Sequence, residues 1–252
     1  MNNYIIPNLA NACDVLIALT HTHEGMSAVE MSNKFSLPRT TVFRILKTLE
    51  KHHLIEKQGK IFVCGPNLIR MGINLVNSNK LKEKSLPVLQ HIAQHTGFTA
   101  HVVVPNGNKS LILEVVDSSS ALRVASRPGS LADLHCSASG KLFLSHLFYN
   151  QLEQVLELPL MQRTTATITD LELLKKELAR VEELGYAIDN LEYNDNVRCL
   201  AVPVRDNNGQ VVAAIGITAP AMTFKLADIA SIASFLKEMA IKLSFSTFYK
   251  GQ

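Results

Sequence analysis

Apolar residues recur every three or four positions along the first 51 residues, and this spacing predicts three amphipathic helices. The first helix begins near Asn8. Ser27, followed three residues later by Glu30, has the spacing of a capping box and predicts the start of a short second helix. Pro38 suits the first turn of the third helix, where the missing N–H of proline is no loss.

Two short extended segments follow at 54–57 and 61–64, on either side of the turn Gln58-Gly59-Lys60. Such a pair predicts a β-hairpin. Three helices and a hairpin in succession predict a winged helix-turn-helix domain over residues 1–65. A further apolar seam predicts a linker helix over 66–80, with Asn67 as its possible cap.

From residue 81 onward, segments of helical spacing alternate with extended segments. This order predicts helices packed on one mostly antiparallel sheet, so the whole chain is of the α+β class. The second domain would span 81–252. We expect helices at 81–96, 139–147, 170–184 and 226–243, and strands at 98–104, 110–116, 122–126, 198–205 and 210–218.

Charge distinguishes the third predicted helix and the hairpin after it. Residues 39–60 contain six basic and two acidic residues, a net charge of +4, whereas the whole chain has a net charge of only +3. Localised positive charge is typical of phosphate contacts. A solvated basic face on an ordinary amphipathic helix is the alternative. The preceding capped helix, the short turn and the hairpin together favour DNA binding.

We therefore expect the third helix to enter the major groove of double-stranded DNA with its N-terminal residues toward the base edges. Arginine can pair with guanine, threonine or phenylalanine can contact the thymine methyl group, and lysine or hydroxyl groups mainly contact phosphates. The predicted contacts come from the helix, the cap before it and the hairpin: Ser27, Arg39, Thr40, Thr41, Phe43, Arg44, Lys47, Lys57 and Lys60.

Other functional classes find little support in the sequence. It contains neither a basic leader of the signal-peptide type nor an apolar run of about 18 residues, so we expect a cytoplasmic protein without membrane contact. The four cysteines are far apart, which argues against a disulfide framework and a zinc finger. His91 and His95 have no obvious third ligand. We expect no metal and no cofactor.

Four segments, taken in order, resemble the IclR family of bacterial transcription regulators. The first is SAVEMSNKFSLPRTTVFRILKTLEKHHLIEKQGKIFVCGPNLIRMG, which carries the capped helix, the L-P-[KR]-[ST]-T recognition helix, the wing and the start of the linker helix. The others are HCSASGKLFLS, GYAIDNLEYNDNVRCLAVPV and VVAAIGITAP in the second domain. The resemblance covers nearly the whole chain.

This resemblance implies a dimer or tetramer on a partly palindromic operator, and a GAF-like α/β effector-binding domain that takes a small organic, sugar or aromatic acid. It implies effector contacts at Ala138, Ser139, Asp189, Cys199, Gly216 and Thr218, with Val124 on the lid side. The residue types agree in part, because a helix start can hold a carboxylate and Asp189 or Thr218 can bond hydroxyl groups. Gly216 stands where the family usually has a hydroxyl residue, which predicts a lost donor and added space.

The expected function is a ligand-responsive DNA-binding regulator, favoured as the repressor of a catabolic operon. One alternative is a DNA-binding oligomer whose second domain has no ligand. A small hydrolase using His135 and Ser139 is more remote, because no G-x-S-x-G motif surrounds the serine.

Overall fold

The computed structural model describes residues 4–22, 24–120, 123–124 and 126–248. The chain divides between Asn79 and Lys80 into two compact units. Each unit has its own hydrophobic core, one in the N-terminal unit and a pair in the C-terminal unit.

The N-terminal unit is a winged helix-turn-helix, as predicted, with four helices and a three-stranded antiparallel sheet of order β1-β3-β2 among the described residues. Its elements are α1 (Pro7–Thr20), β1 (Met26–Ser27), α2 (Ala28–Lys34), α3 (Arg39–Lys51), β2 (Ile55–Gln58), β3 (Ile61–Cys64) and α4 (Pro66–Asn77). The strand β1 was not predicted, because two residues are too few to show an alternating pattern.

The capping box predicted for α2 is confirmed. The Ser27 hydroxyl accepts a hydrogen bond from the Glu30 backbone N–H at 3.2 Å, and the Ser27 N–H donates to Glu30 Oε2 at 2.7 Å. Pro38 is the N-cap of α3 rather than a residue of its first turn. The N-cap of α4 is Gly65 rather than Asn67. The Asn67 side chain instead donates a hydrogen bond to the His52 carbonyl at 2.8 Å.

The C-terminal unit has a six-stranded antiparallel sheet of order β6-β5-β4-β9-β8-β7, with helices on both faces. Its elements are α5 (Lys80–Thr96), β4 (Thr99–Asn106), β5 (Lys109–Val116), β6 (Leu131–Asp133), α6 (Ala138–Leu147), α7 (Leu152–Val155), α8 (Leu171–Leu184), β7 (Ala187–Asn190), β8 (Val197–Arg205), β9 (Val211–Pro220) and α9 (Ile229–Phe248).

Alternate residues of each strand reach two different cores, as the twofold period of a strand requires. Val102 and Ile215 pack with α5 and α9 on one face. Val103 and Ala201 pack with α6 and α8 on the other face, which also carries the predicted effector residues.

The strand predicted at 122–126 is wrong where it can be compared. Arg123, Val124 and Ser126 are outside any strand, and Leu122 and Ala125 lie outside the described residues. The unpredicted edge strands are β6 and β7, which are short and contain Asp and Asn, residues that are depleted in strands. Over the described ranges, no helix has both the length and the apolar content to cross a bilayer.

Candidate nucleic-acid interface and effector site

The helix α3 buries one face and exposes the other. Val42 and Leu46 are almost completely buried in the N-terminal core. Phe43 flanks this buried stripe, and 58% of it is exposed. The predicted contact residues that are exposed with it are Arg39, Thr40, Arg44 and Lys47 on α3, and Lys57 and Lys60 on the wing. This face therefore offers cations and one aromatic ring to a partner.

The start of α3 adds free backbone donors to this face. The Pro38 carbonyl accepts hydrogen bonds from the N–H groups of Thr41 and Val42, at 2.9 and 3.1 Å. Pro38 supplies no side-chain cap. The N–H groups of Arg39 and Thr40 are thus left at an uncapped helix start, a position that favours phosphate oxygens.

Several predicted contacts already have partners within the unit. Lys47 Nζ lies 2.8 Å from Glu50 Oε2 and 6.0 Å from the centre of the Phe43 ring. An exposed pair of this kind is weak, so a phosphate can compete with Glu50. Ser27 is half-buried and its oxygen accepts the capping hydrogen bond. Thr41 is half-buried too and lines a cavity of about 320 Å³ with Asn8 on α1.

In the C-terminal unit, the register of the sheet places predicted effector residues side by side. Asp189 on β7 pairs with Cys199 on β8, and Cys199 pairs with Thr218 on β9. Gly216 lies two residues from Thr218 along β9, on the same face. The helix α6 packs over these three strands and carries the remaining predicted contacts, Ala138 and Ser139.

The start of α6 is held firmly against the chain before it. The N-cap is Ser137, whose oxygen accepts from the Gly140 N–H at 3.1 Å and whose hydroxyl donates to the Asp133 carbonyl at 2.6 Å. A Cβ atom on Gly140 would lie 2.4 Å from the backbone of Leu134. Only glycine permits this approach, so Ala138 and Ser139, both buried, are fixed over the sheet.

Asp189 is buried, with 1% of its surface exposed. Its Oδ1 accepts from the backbone N–H groups of Glu192 and Tyr193, at 2.8 and 3.2 Å. Burial raises the pKa of Asp189 to about 6. Burial also raises the pKa of the Cys199 thiol well above its ordinary value, with the Asp189 charge as a second cause. The site therefore presents a mostly ionised carboxylate and a neutral thiol at neutral pH.

A buried cation lies close to the turn that follows Asp189, but two glutamates already neutralise its charge. Lys141, in the first turn of α6, is 1% exposed. Its ammonium lies 2.5 Å from Glu192 Oε1 and 3.1 Å from Glu177 Oε1. It ties α6 to the turn that follows Asp189, and it is not a free partner for an acidic ligand. The start of α6 is the feature that favours an anion.

Sequence reasoning missed His101 on β4, which the sheet places beside the predicted residues. His101 pairs with Gly216 across the sheet, and its Nδ1 lies 3.5 Å from Thr218 Oγ1. Burial lowers the pKa of His101 to about 4, so the ring is neutral at physiological pH. The prediction that Gly216 adds space is wrong, because a Cβ atom there would lie 2.4 Å from the Leu200 carbonyl oxygen and 3.0 Å from His101 Nε2.

Val124 is the predicted effector contact on the lid side, and it lies near β4. The carbonyl of Val124, which is half-buried, lies 3.5 Å from Thr99 Oγ1, a donor on β4. A small cavity of about 50 Å³ lies beside Thr99 and Thr218. A wider groove of about 550 Å³ follows the edge strand β7, and its described lining includes none of the predicted effector contacts.

The alternatives of a hydrolase and a metal site concern a few remaining histidine, cysteine and acidic side chains. His135, the histidine of the hydrolase alternative, has its Nε2 2.9 Å from the Met161 carbonyl, so this ring nitrogen already has a partner within the chain. Within the part of the chain that the structure describes, His, Cys, Asp and Glu side chains form no group of three or more that could hold a metal ion.

A winged helix-turn-helix joined to a sensor-type sheet domain defines the class of two-domain transcription regulators. The family model for the IclR helix-turn-helix domain matches residues 8–59, and that for the bacterial transcriptional regulator IclR C-terminal domain matches residues 73–245. The chain belongs to the IclR family of DNA-binding transcriptional regulators, which are not enzymes.

Relatives agree with this assignment over most of the chain. The HTH-type transcriptional regulator BhcR of Paracoccus denitrificans is 30% identical over 240 residues, covering 94% of this chain and 86% of its own. The HTH-type transcriptional repressor AllR of Escherichia coli is 30% identical over 200 residues, covering 78% of this chain and 74% of its own. A crystal structure of a transcriptional regulator of this family from Alicyclobacillus acidocaldarius has a TM-score of 0.81 and 26% identity, covering 97% of this chain and all of that one.

Proposed function

We propose that this protein is a ligand-responsive repressor of a catabolic operon, acting in the cytoplasm, which binds operator DNA through α3 and the wing. The observation that carries the proposal is the exposed basic face of α3, which lies opposite the buried stripe of Val42 and Leu46. The likeness to the repressor AllR supports the sign of regulation. Binding of a small acid to the C-terminal unit would lower operator affinity.

The DNA-binding part is tested by comparing Arg44→Ala with Lys47→Ala. We expect Arg44 to read a base, so its loss costs about 1–3 kcal/mol on the operator and relaxes base preference. Lys47 contacts phosphate, so its loss weakens operator and random DNA equally and lowers the salt slope by about 1. Fluorescence anisotropy with DNA from upstream of the neighbouring genes measures both effects.

The matched control is Lys176→Ala, which removes one exposed positive charge from α8 in the C-terminal unit. It should leave the affinity for both DNAs unchanged. Equal losses for Arg44→Ala on operator and random DNA would contradict its assignment. A wild-type protein that ignores every promoter fragment at low salt would refute the proposal as a whole.

Self-association forms a second part of the proposal. The apolar seam of α4 is uncovered in the single chain, where Leu75 is 70% exposed and Ile69 58% exposed. Exposed apolar residues on one short helix favour burial against a second copy, and symmetric dimers are the commonest solution. We expect a dimer or a dimer of dimers. Sedimentation equilibrium should show Leu75→Lys shifted to a smaller species, with the exposed Arg70→Ala as the control.

The effector site is proposed at the buried polar row under α6. Backbone N–H groups at Ala138 and Ser139 would hold a carboxylate, while Asp189, Cys199 and Thr218 would bond hydroxyl groups. A ligand that binds only the folded protein must raise its stability, so a thermal shift with a panel of sugar, hydroxy and aromatic acids tests the idea. The same acids should release operator DNA.

Two results would change the proposal for the effector site. If no acid stabilises the protein while operator binding persists, the regulator has no small-molecule ligand of this class. If only a neutral apolar compound binds, the acid assignment is wrong. Asp189→Asn should retain operator binding and lose the response to the acid.

A further inference from the structure

The Leu200 carbonyl oxygen and the imidazole of His101 both lie close to the place where a side chain at position 216 would begin. A Cβ atom on Gly216 would lie 3.0 Å from His101 Nε2, and also 2.4 Å from the Leu200 carbonyl oxygen. The glycine and the histidine therefore form a pair across β9 and β4. A hydroxyl residue at position 216, as the family motif has, cannot be accommodated without moving the ring and the neighbouring strand.

The directions of the hydrogen bonds along this row assign the tautomer of the ring. Asp189, when ionised, can only accept hydrogen bonds, and the Cys199 thiol is its neighbour. The Thr218 hydroxyl donates to Cys199 Sγ at 3.3 Å. Because its proton is committed, Thr218 Oγ1 is left to accept from His101 Nδ1 in the long 3.5 Å contact.

The other ring nitrogen is then an acceptor. A neutral imidazole carries one N–H, so a proton on Nδ1 leaves a lone pair on Nε2. Within the described ranges, the hydrogen bond to Thr218 is the one that His101 makes with its ring. Nε2 is directed over Gly216, on the face that α6 covers.

We propose that His101 is a specificity-determining residue of the effector site, which selects acids that carry a hydroxyl group by accepting a hydrogen bond through Nε2. This inference rests on the proposed function, because it places the effector on this face of the sheet. A hydroxyl group can donate to Nε2, whereas a keto or unsubstituted carbon cannot. Leaving a buried acceptor unpaired disfavours the ligand that lacks the donor.

The experiment compares acids that differ by one hydroxyl group: lactate with propionate, and 4-hydroxybenzoate with benzoate. Isothermal titration calorimetry of the full chain should show that, in at least one pair, the hydroxylated acid binds about tenfold or more tightly. The variant His101→Gln can place an amide oxygen where Nε2 was and should keep that ratio. The variant His101→Asn is one methylene shorter, reaches only the Nδ1 position and should bring the ratio close to one.

The matched control is His95→Asn, an exposed histidine on α5 that stacks on Phe235, which should leave the ratio unchanged. Thermal unfolding and operator binding establish that each variant folds. A ratio that falls in His101→Asn supports the inference, and a ratio that is lost in His101→Gln overturns it. Equal binding within both pairs by the wild type, or an unchanged ratio in His101→Asn, would overturn the inference and leave the proposed acid effector standing. Binding of none of the acids would overturn both.

Discussion

Replacing Asp189 with asparagine should stabilise the protein at neutral pH. The carboxyl group is buried, and burial raises its pKa from 3.8 to about 6. The folded state therefore disfavours the ionised form that predominates at pH 7. Asparagine has nearly the same shape, is never charged, and its carbonyl oxygen can still accept from the N–H groups of Glu192 and Tyr193.

The magnitude follows from the pKa. Each pH unit of difference between the folded and unfolded states corresponds to about 1.4 kcal/mol, so a pKa of about 6 instead of 3.8 corresponds to about 3 kcal/mol. We take this as an upper limit, because the amide nitrogen must find an acceptor near Cys199. The expected gain at pH 7 is about 1–3 kcal/mol.

The sign of the pH dependence is opposite to that of a salt-bridged carboxylate. The raised pKa means that the folded state binds the proton more tightly than the unfolded chain does. The wild type therefore has its full stability from this group below about pH 4 and loses it as the pH rises through about 6. The difference between Asp189→Asn and the wild type should be small near pH 4, grow between pH 4 and 6, and level off above that.

Urea unfolding between pH 4 and 8, followed by circular dichroism, measures this difference. The matched control is Asp206→Asn, because the Asp206 carboxylate also accepts two backbone N–H groups, from Asn208 and Gln210, but in a turn between β8 and β9 that is partly exposed. The control reports the effect of the amide itself. A difference that is independent of pH, or that favours the wild type increasingly as the pH rises, would refute the reasoning.

Three further substitutions should each lower the free energy of unfolding, which the same urea titration measures. Lys141→Met should cost roughly 3–5 kcal/mol by leaving Glu192 buried without its cation, and adding Glu192→Gln should recover part of it; a single variant as stable as wild type would contradict the pairing. Gly140→Ala should cost more than about 2 kcal/mol, because its Cβ would collide with the Leu134 backbone, and a neutral result would show that α6 can move away. Ser27→Ala should cost about 0.5–2 kcal/mol in the N-terminal unit, and no loss would mean that the capping box contributes little.

The N-terminal unit could be predicted almost completely because its signals are local. The capping box at Ser27 and the apolar stripe of Val42 and Leu46 each lie within a few residues of the element they specify. The boundaries moved by one residue at Pro38, where proline serves as the N-cap. The two-residue strand β1 forms only because β3 lies alongside it, and no local sequence pattern predicts such a pairing.

The C-terminal sheet was predicted less completely, and the misses lie at its edges. The edge strands β6 and β7 are short, and each owes its conformation to hydrogen bonds with a single neighbour. Asn190, for example, has low strand propensity, yet its side chain accepts from Arg198 on β8. Strand propensity is weak against such tertiary contacts, so a single sequence does not reveal them.

At the proposed effector site, the sequence motif and the contacts in the structure lead to different conclusions about Gly216. The motif predicts an effector contact at position 216, and the glycine there predicts a lost hydrogen-bond donor and added space. In the structure this position is closed by the Leu200 carbonyl oxygen and by His101, which is 115 residues earlier in the chain and in no motif of the second domain. Glycine is required at position 216 because a Cβ atom there would lie 2.4 Å from the Leu200 carbonyl oxygen and 3.0 Å from His101 Nε2. If His101 selects the effector as proposed, positions 101 and 216 have to be compared together among relatives.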